Sequence, residues 1–179
     1  MKKVLIHACC ADCLIKMIES LKPQNSKRIN FDIYFYNPNI HPRSEFLARL
    51  QAIKQVTKER DLKIIIANWS PKEYFSAVKT NSNPGRCNIC WTLRLSKTAS
   101  YASEHGYNAF TTTLLSSHYQ NTAQILKICK NLARKFSLEI IAPTDLKKDL
   151  CTGGFYKQNF CGCCYSLVER YREKFSEDL

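Results

Sequence analysis

Apolar residues along the chain gather in short β-branched runs, with longer stretches of helical period between them. The runs at 4–6, 31–36, 62–67, 109–115 and 138–142 read as strands. Helical spacing covers 12–22, and a second helix starts at Pro42 and carries Phe46, Leu50, Ile53 and Val56. A third opens at Pro71 ahead of Glu73, Tyr74, Phe75 and Val78, and a fourth covers 88–104 and stops near Gly106. A fifth spans about 121–136, with Ile125, Ile128, Cys129, Leu132 and Phe136 on one face, which places Cys129 in the core. The last, 164–175, carries Glu169, Arg170, Arg172, Glu173 and Lys174 at positions expected to be exposed.

Alternation of this kind predicts an α/β fold, because each parallel return between strands needs a crossover. The expected architecture is a single three-layer domain, residues 1–179, around a five-stranded, mostly parallel sheet. No Pro, Gly or Ser-rich linker divides the chain, and 45% hydrophobic residues supply a core. Working groups in such sheets collect at the carboxyl ends of the strands. The apolar run after Met1, Lys2 and Lys3 is too short for a signal peptide, and His7 and Asp12 interrupt its continuation. No stretch approaches the ~20 apolar residues of a membrane span. A cytoplasmic protein with no membrane partner is expected.

Charge narrows the partners. Lys and Arg total 27 against 15 Asp and Glu, a formal charge of +12, and such a surface attracts phosphates, so nucleic acid is the natural candidate. The five glycines, Gly85, Gly106, Gly153, Gly154 and Gly162, build neither a GxxxxGK[ST] cradle nor a GxGxxG turn. No nucleotide cofactor is expected.

The cysteines change the picture most. Of ten, eight fall into three groups: Cys9, Cys10 and Cys13 in HACCADC, Cys87 and Cys90 in RCNIC, and Cys161, Cys163 and Cys164 in FCGCCYS; Cys129 and Cys151 stand alone. In a reducing cytosol such density points to metal ligation or transient redox chemistry rather than structural disulfides. Cys9 and Cys10 leave the first strand for a helix whose amino terminus favours thiolates. Cys87 and Cys90 have the spacing of half a metal knuckle, with a turn at Asn83, Pro84 and Gly85 to sit on. Four sulfurs from CC and CxxC match iron–sulfur ligation, with zinc as the competing reading. Asp12 and Cys13 are candidates for a second metal or an open cluster corner, Asp12 equally for a helix cap. Cys161 and Cys163, separated by Gly162, would form only a strained, labile disulfide suited to redox work, or would serve as two further ligands. Cys164 reads as a small core residue or a spare thiol.

HACCADC, YNPNIHP at 36–42, RCNIC followed by Arg94 and Leu95, TTTLLSSH at 111–118 and CGCCYS together resemble, in order and over nearly the whole chain, the epoxyqueuosine reductases of the QueH family. The resemblance implies an adenine nucleotide alpha-hydrolase-like fold without its phosphate loop. It implies reduction of epoxyqueuosine to queuosine at the wobble position of tRNA, without cobalamin, by an oxidoreductase fed by an electron donor the sequence does not identify. It also implies a 4Fe-4S cluster on Cys9, Cys10, Cys87 and Cys90, a redox-active disulfide between Cys161 and Cys163, and an additional iron for which Asp12 and Cys13 are candidate ligands. This sequence departs from the family pattern at Asp12 and at Ser116–Ser117, where proline is usual, and at Trp91, where tyrosine or phenylalanine is usual.

Tyr36, Trp91, Tyr119 and Tyr165 are candidates to stack a turned-out base or simply to pack. Asn37, Asn39, His41 and His118 are candidates to bind diol hydroxyls or give a proton to the leaving oxygen, whereas His7 reads as structural. Lys127, Lys130, Arg134, Lys135, Lys147 and Lys148 form either a phosphate-binding face or a solvated one. Two rival functions stand beside the reductase: a tRNA sulfur-inserting enzyme with an iron–sulfur cluster, which would be expected to need a nucleotide loop, and a zinc-stabilised RNA-binding module, which gives the CGC pair no role.

Overall fold

In a computed structural model, residues 2–21, 29–79, 85–117, 120–143, 145, 150, 153–156 and 158–175 are described. The strands are β1 (Lys2–His7), β2 (Ile29–Phe35), β3 (Lys63–Ile66), β4 (Ala109–Thr112) and β5 (Glu139–Ile140). The helices are α1 (Ala11–Leu21), α2 (Arg43–Glu59), α3 (Pro71–Ala77), α4 (Gly85–Glu104), α5 (Thr122–Lys135) and α6 (Cys164–Phe175), with a 3-10 helix at Thr113–Ser116. The sheet order is β3-β2-β1-β4-β5, and all four pairings are parallel.

The chain starts at the centre of the sheet, winds outward through β2 to β3, and crosses back by α3 and α4 to lay β4 on the other side of β1. The winding direction therefore reverses between β1 and β4. In an open parallel sheet, the crevice at the carboxyl ends of two such strands is left uncovered by crossovers, and ligands bind there. Val4, Leu5 and Ile6 of β1 are fully buried, which is why this strand reads as a continuous apolar run. Helices close the layers: α1 buries Leu14, Met17, Ile18 and Leu21, and α4 buries Leu95, Ala99 and Ala102. Along α5, Ile125, Cys129, Leu132 and Ala133 recur at helical spacing and are buried, so Cys129 is a core residue. Full burial of each large aliphatic side chain contributes about 1.5–3 kcal/mol.

Four local differences from the sequence pattern shape the site. The run at 109–115 is not all strand: the Thr112 hydroxyl accepts from Leu114 N at 3.2 Å, which turns the backbone into the 3-10 helix. Helix α4 begins at Gly85 rather than 88, so Cys87 and Cys90 lie on helix and not on a knuckle loop; their i,i+3 spacing puts both on one face. Asp12 is not a cap, because α1 starts one residue earlier and Leu14 N donates to Cys10 O; its carboxylate lies in the first turn, 3.2 Å from Lys16 Nζ. Glu169 of α6 is paired as well as partly solvent-exposed: its carboxylate accepts from Arg86 Nη2 at 2.7 and 3.0 Å.

Candidate active site

The β1/β4 crevice is where two of the three sulfur groups meet. Cys9 leaves β1 with its backbone N–H donated to Thr113 Oγ1 at 3.2 Å and its Sγ 3.4 Å from the same oxygen. Thr113 is the first residue past β4, so the switch point itself holds Cys9. Cys10 and Cys13 stand within hydrogen-bonding reach of Cys9, and together they draw its thiol well below the ordinary value. For Cys10, the hydrogen bond with Cys13 that lowers its thiol is outweighed by the one with Cys9 and by burial, and the thiol lies above the ordinary value. Cys13 is raised by its hydrogen bonds with Cys10 and Cys9 and by burial.

Helix α4 crosses this crevice and brings the second pair. Cys90 is buried and half-buried Cys87 lies one turn earlier; burial raises both thiols, Cys90 to about 11. One turn further along the same helix face is Arg94, whose guanidinium reaches both Cys9 and Cys90. Burial works against its charge, and the sulfurs of Cys90, Cys9 and Cys161 outweigh that penalty. Arg94 Nη2 donates to Asn37 Oδ1 at 2.6 Å, and Asn37 in turn donates to Ala8 O at 2.8 Å. Asn37 thus ties the end of β2 to the end of β1 and aims the arginine, with both ends of its amide engaged by the protein itself.

The third group sits across from the second. Cys163 is buried with Cys90, Tyr74 and Val78, while Cys161 and Tyr165 pack against that cluster. Cys161 and Cys163 are free thiols, with their sulfurs 3.6 Å apart. The hydrogen bond from Cys161 lowers Cys163 to about 5, helped by the Ser166 backbone N–H at 3.3 Å and by the Tyr74 hydroxyl, and the same contact raises Cys161. The loop before the pair is fastened from α2: Arg49 donates to the carbonyls of Phe160 and Cys161, both at 3.3 Å, and its charge is met by Glu45 at 2.6 Å.

A cavity of about 680 Å³ opens between α4, α6 and the start of α5. Cys87 and Trp91 of α4 face Cys161 and Ser166 across it, and Gln120, Gln124 and Asn88 add neutral amides to its wall. Trp91 Nε1 donates to Gln120 Oε1 at 2.7 Å, and Gln124 Nε2 to Asn88 Oδ1 at 3.3 Å.

Among the described residues, no three His, Cys, Asp or Glu side chains are drawn close enough to hold a single metal ion. A 4Fe-4S cluster makes a different demand, since it distributes four cysteine thiolates over four irons. Arg94 contacts Cys9 and Cys90; with Cys10 beside Cys9, and Cys87 one turn from Cys90, the chain has the four cysteines such a cluster takes. Asp12 is differently placed: its carboxylate already carries the Lys16 ammonium, and both side chains are largely buried.

The sequence profile of the family described as Epoxyqueuosine reductase QueH matches residues 4–169, which takes in all three sulfur groups. The chain belongs to the QueH family. The epoxyqueuosine reductase QueH of Dehalococcoides mccartyi is 34% identical over 177 residues, 94% of this chain and 94% of that protein. That of Thermotoga maritima is also 34% identical, over 99% of this chain and 96% of its own length. That of Haemophilus influenzae is 32% identical over 96% of this chain and 75% of its own. Among solved structures, the U34-tRNA thiolase NcsA from Methanococcus maripaludis with its [4Fe-4S] cluster superposes at a TM-score of 0.46 and 12% identity, covering 97% of this chain and 67% of that one.

For this QueH chain, the candidate substrate residues divide by position. Tyr36 is buried and gives its hydroxyl to Glu73. Asn39 and His41 are buried with no well-formed side-chain hydrogen bond, and the His41 ring packs against Tyr74 and Phe75, its backbone N–H donating to Gly162 O at 2.8 Å. His7 is structural: its ring spans Thr112 Oγ1 at 2.9 Å and Tyr36 O at 3.2 Å, and burial, with Arg94 nearby, holds it neutral, at about 3. His118, Tyr119, Lys147, Lys148 and Cys151 lie outside the described residues. Sequence reasoning assigned no role to Arg94, Thr113, Ser166 or Arg49. The signals were present as Arg94 four residues after Cys90 on a helix, Thr113 at the end of β4, and Ser166 three residues after Cys163.

Proposed function

We propose that this protein is the tRNA-modifying oxidoreductase its relatives are named for, converting epoxyqueuosine at the wobble position to queuosine. The observation that carries the reading is the convergence of three sequence-distant thiol groups on one crevice: Arg94 reaches Cys9 and Cys90, while Cys163 is buried against Cys90. Cys9, Cys10, Cys87 and Cys90 would hold a 4Fe-4S cluster. When bound, that cluster supplies electrons one at a time.

The remaining work falls to the chain itself. Removing an epoxide oxygen takes two electrons and two protons and yields an alkene and water. Cys161 and Cys163 release two electrons as their disulfide forms, together with the Cys161 proton; the second proton comes from solvent, and the unidentified donor then reduces the disulfide again. Their proximity at 3.6 Å, free, supports this role. The cavity beside Cys87 and Cys161 receives the modified nucleoside, with Trp91 and the amides of Gln120 and Gln124 on its wall. Lys127, Lys130, Arg134 and Lys135 are exposed on α5, whose first turn borders that cavity, so a phosphate backbone would approach over this helix. Among the described residues no helix is long and apolar enough to cross a membrane.

The test is anaerobic reconstitution of the protein with iron and sulfide, followed by incubation with a reductant and epoxyqueuosine-containing tRNA. The expected product is a nucleoside lighter by one oxygen. An unchanged nucleoside from a preparation that carries the cluster and binds tRNA would overturn the reductase reading.

A further inference from the structure

Three arginines of this chain, Arg49, Arg86 and Arg94, are each only 2% exposed. Two of them answer to carboxylates: Arg49 to Glu45 at 2.6 Å and Arg86 to Glu169 at 2.7 Å. Among the described residues, no carboxylate pairs with Arg94. The oxygen its guanidinium meets is that of the neutral Asn37 amide, and its Nε makes no hydrogen bond. A buried charge without a counter-charge is among the most destabilising features a protein core can contain, and chains keep one only where an anion answers it.

The groups around the guanidinium identify that anion. Cys9 and Cys90 lie within hydrogen-bonding reach, and Cys161 is close enough to act on its charge. Cys9 comes from the end of β1 and Cys90 from α4. Arg94 therefore contacts one cysteine of each pair, and its aim is set by the hydrogen bonds that run from Ala8 O through the Asn37 amide. A planar fork of donors suits this place better than an ammonium, because it can address two sulfurs and an amide oxygen at once.

We propose that Arg94 is a positioning residue: it holds the Cys9 and Cys90 sulfurs around one buried positive charge and sets the charge balance of the iron–sulfur group they carry. The proposal rests on the reading that these cysteines ligate such a group. A bound cluster with four thiolates is anionic, and each electron added makes it more so; a fixed cation beside two of its ligands therefore favours the reduced form. Arg94 serves the cluster rather than the fold, and this separates it from Arg49 and Arg86.

That distinction is measurable. In the metal-free protein, Arg94→Met removes a buried charge that lacks a carboxylate, together with its hydrogen bond to Asn37, so the two effects oppose and the variant should fold and melt near the wild-type temperature. After anaerobic reconstitution, the same variant should hold less iron per chain, or hold its cluster at a more negative midpoint potential. Arg94→Lys, which keeps the charge, should return the potential toward wild type. A metal-free Arg94→Met chain that fails to fold, or melts well below wild type, marks a structural strut and overturns the proposal. So does a reconstituted Arg94→Met protein with wild-type iron content and potential. A wild-type chain that binds no iron–sulfur group under the same conditions overturns the underlying reading instead.

Discussion

Cys163 and Ser166 cap a helix together: the Cys163 sulfur accepts the Ser166 backbone N–H at 3.3 Å, the bond a serine or aspartate side chain makes at the start of most helices. Helix α6 begins at the next residue, so its positive end faces this sulfur. The S–H of Cys161 is directed at Cys163 Sγ and at Ser166 Oγ, 3.1 Å away. The pair is polarised, with the thiolate at Cys163 and the proton at Cys161.

Thiolate absorbance in the ultraviolet should show this directly. The difference between wild type and Cys163→Ser should titrate at about 5, far below the ordinary 9.0, and should move upward in Cys161→Ala, which deletes the hydrogen bond that lowers Cys163 most. Because the folded value is the lower one, the thiolate cap contributes its full stability above pH 9.0 and loses it as the pH falls toward 5. Cys163→Ser keeps a capping oxygen without that titration, so its melting temperature should vary less with pH across the same window. Coincident titration curves for wild type and Cys163→Ser would remove the thiolate.

Gly162 holds the pair in register. Its φ is +106°, and a Cβ added there would stand 3.1 Å from Ile40 Cγ1 and 3.2 Å from the Arg49 guanidinium. Neither neighbour is free to retreat, since Ile40 is fully buried and Arg49 is pinned by Glu45 and two loop carbonyls. Gly162→Ala should therefore destabilise the protein by about 1–3 kcal/mol. It should also slow formation of the Cys161–Cys163 disulfide by a mild oxidant, because the loop must shift to relieve the contact. A variant that melts and oxidises like wild type would show that the loop conformation is not required.

Most of the frame was legible because strands covered on both faces and amphipathic helices leave periodic apolar marks, as at Val4, Leu5 and Ile6 in β1 and Ile125, Cys129 and Leu132 in α5. Cysteine is chemically conspicuous, so the three sulfur groups were visible too. What the sequence concealed depends on contacts between distant segments. Arg94 reads as one more cation on a helix, and only the fold shows that α4 carries it between Cys9 and Cys90. Glu169 sits in a run of charged residues and reads as solvated until Arg86 is seen to bury its own charge against it. Asp12 looked equally suited to capping and to ligation; it lies inside the first turn of α1 rather than at its cap, where its carboxylate meets Lys16 one turn on.

Trp91 lines the cavity and has one polar atom. Its indole N–H holds Gln120 Oε1 at 2.7 Å, which leaves the Gln120 amide nitrogen as the group to face a ligand, whereas Gln124 donates its own Nε2 to Asn88 and so offers its oxygen. Trp91→Phe keeps most of the ring packing and removes that hydrogen bond, worth about 0.5–1.5 kcal/mol when both partners are protein. Gln120 would then be free to rotate, and a site that reads a polar base edge would bind more weakly. The expected result is a rise in KM for the tRNA of up to about tenfold, the equivalent of ~1.4 kcal/mol, with kcat and iron content near wild type. A fall in kcat at unchanged KM would place Trp91 with the reacting atoms rather than with recognition, and unchanged values of both would reduce it to packing.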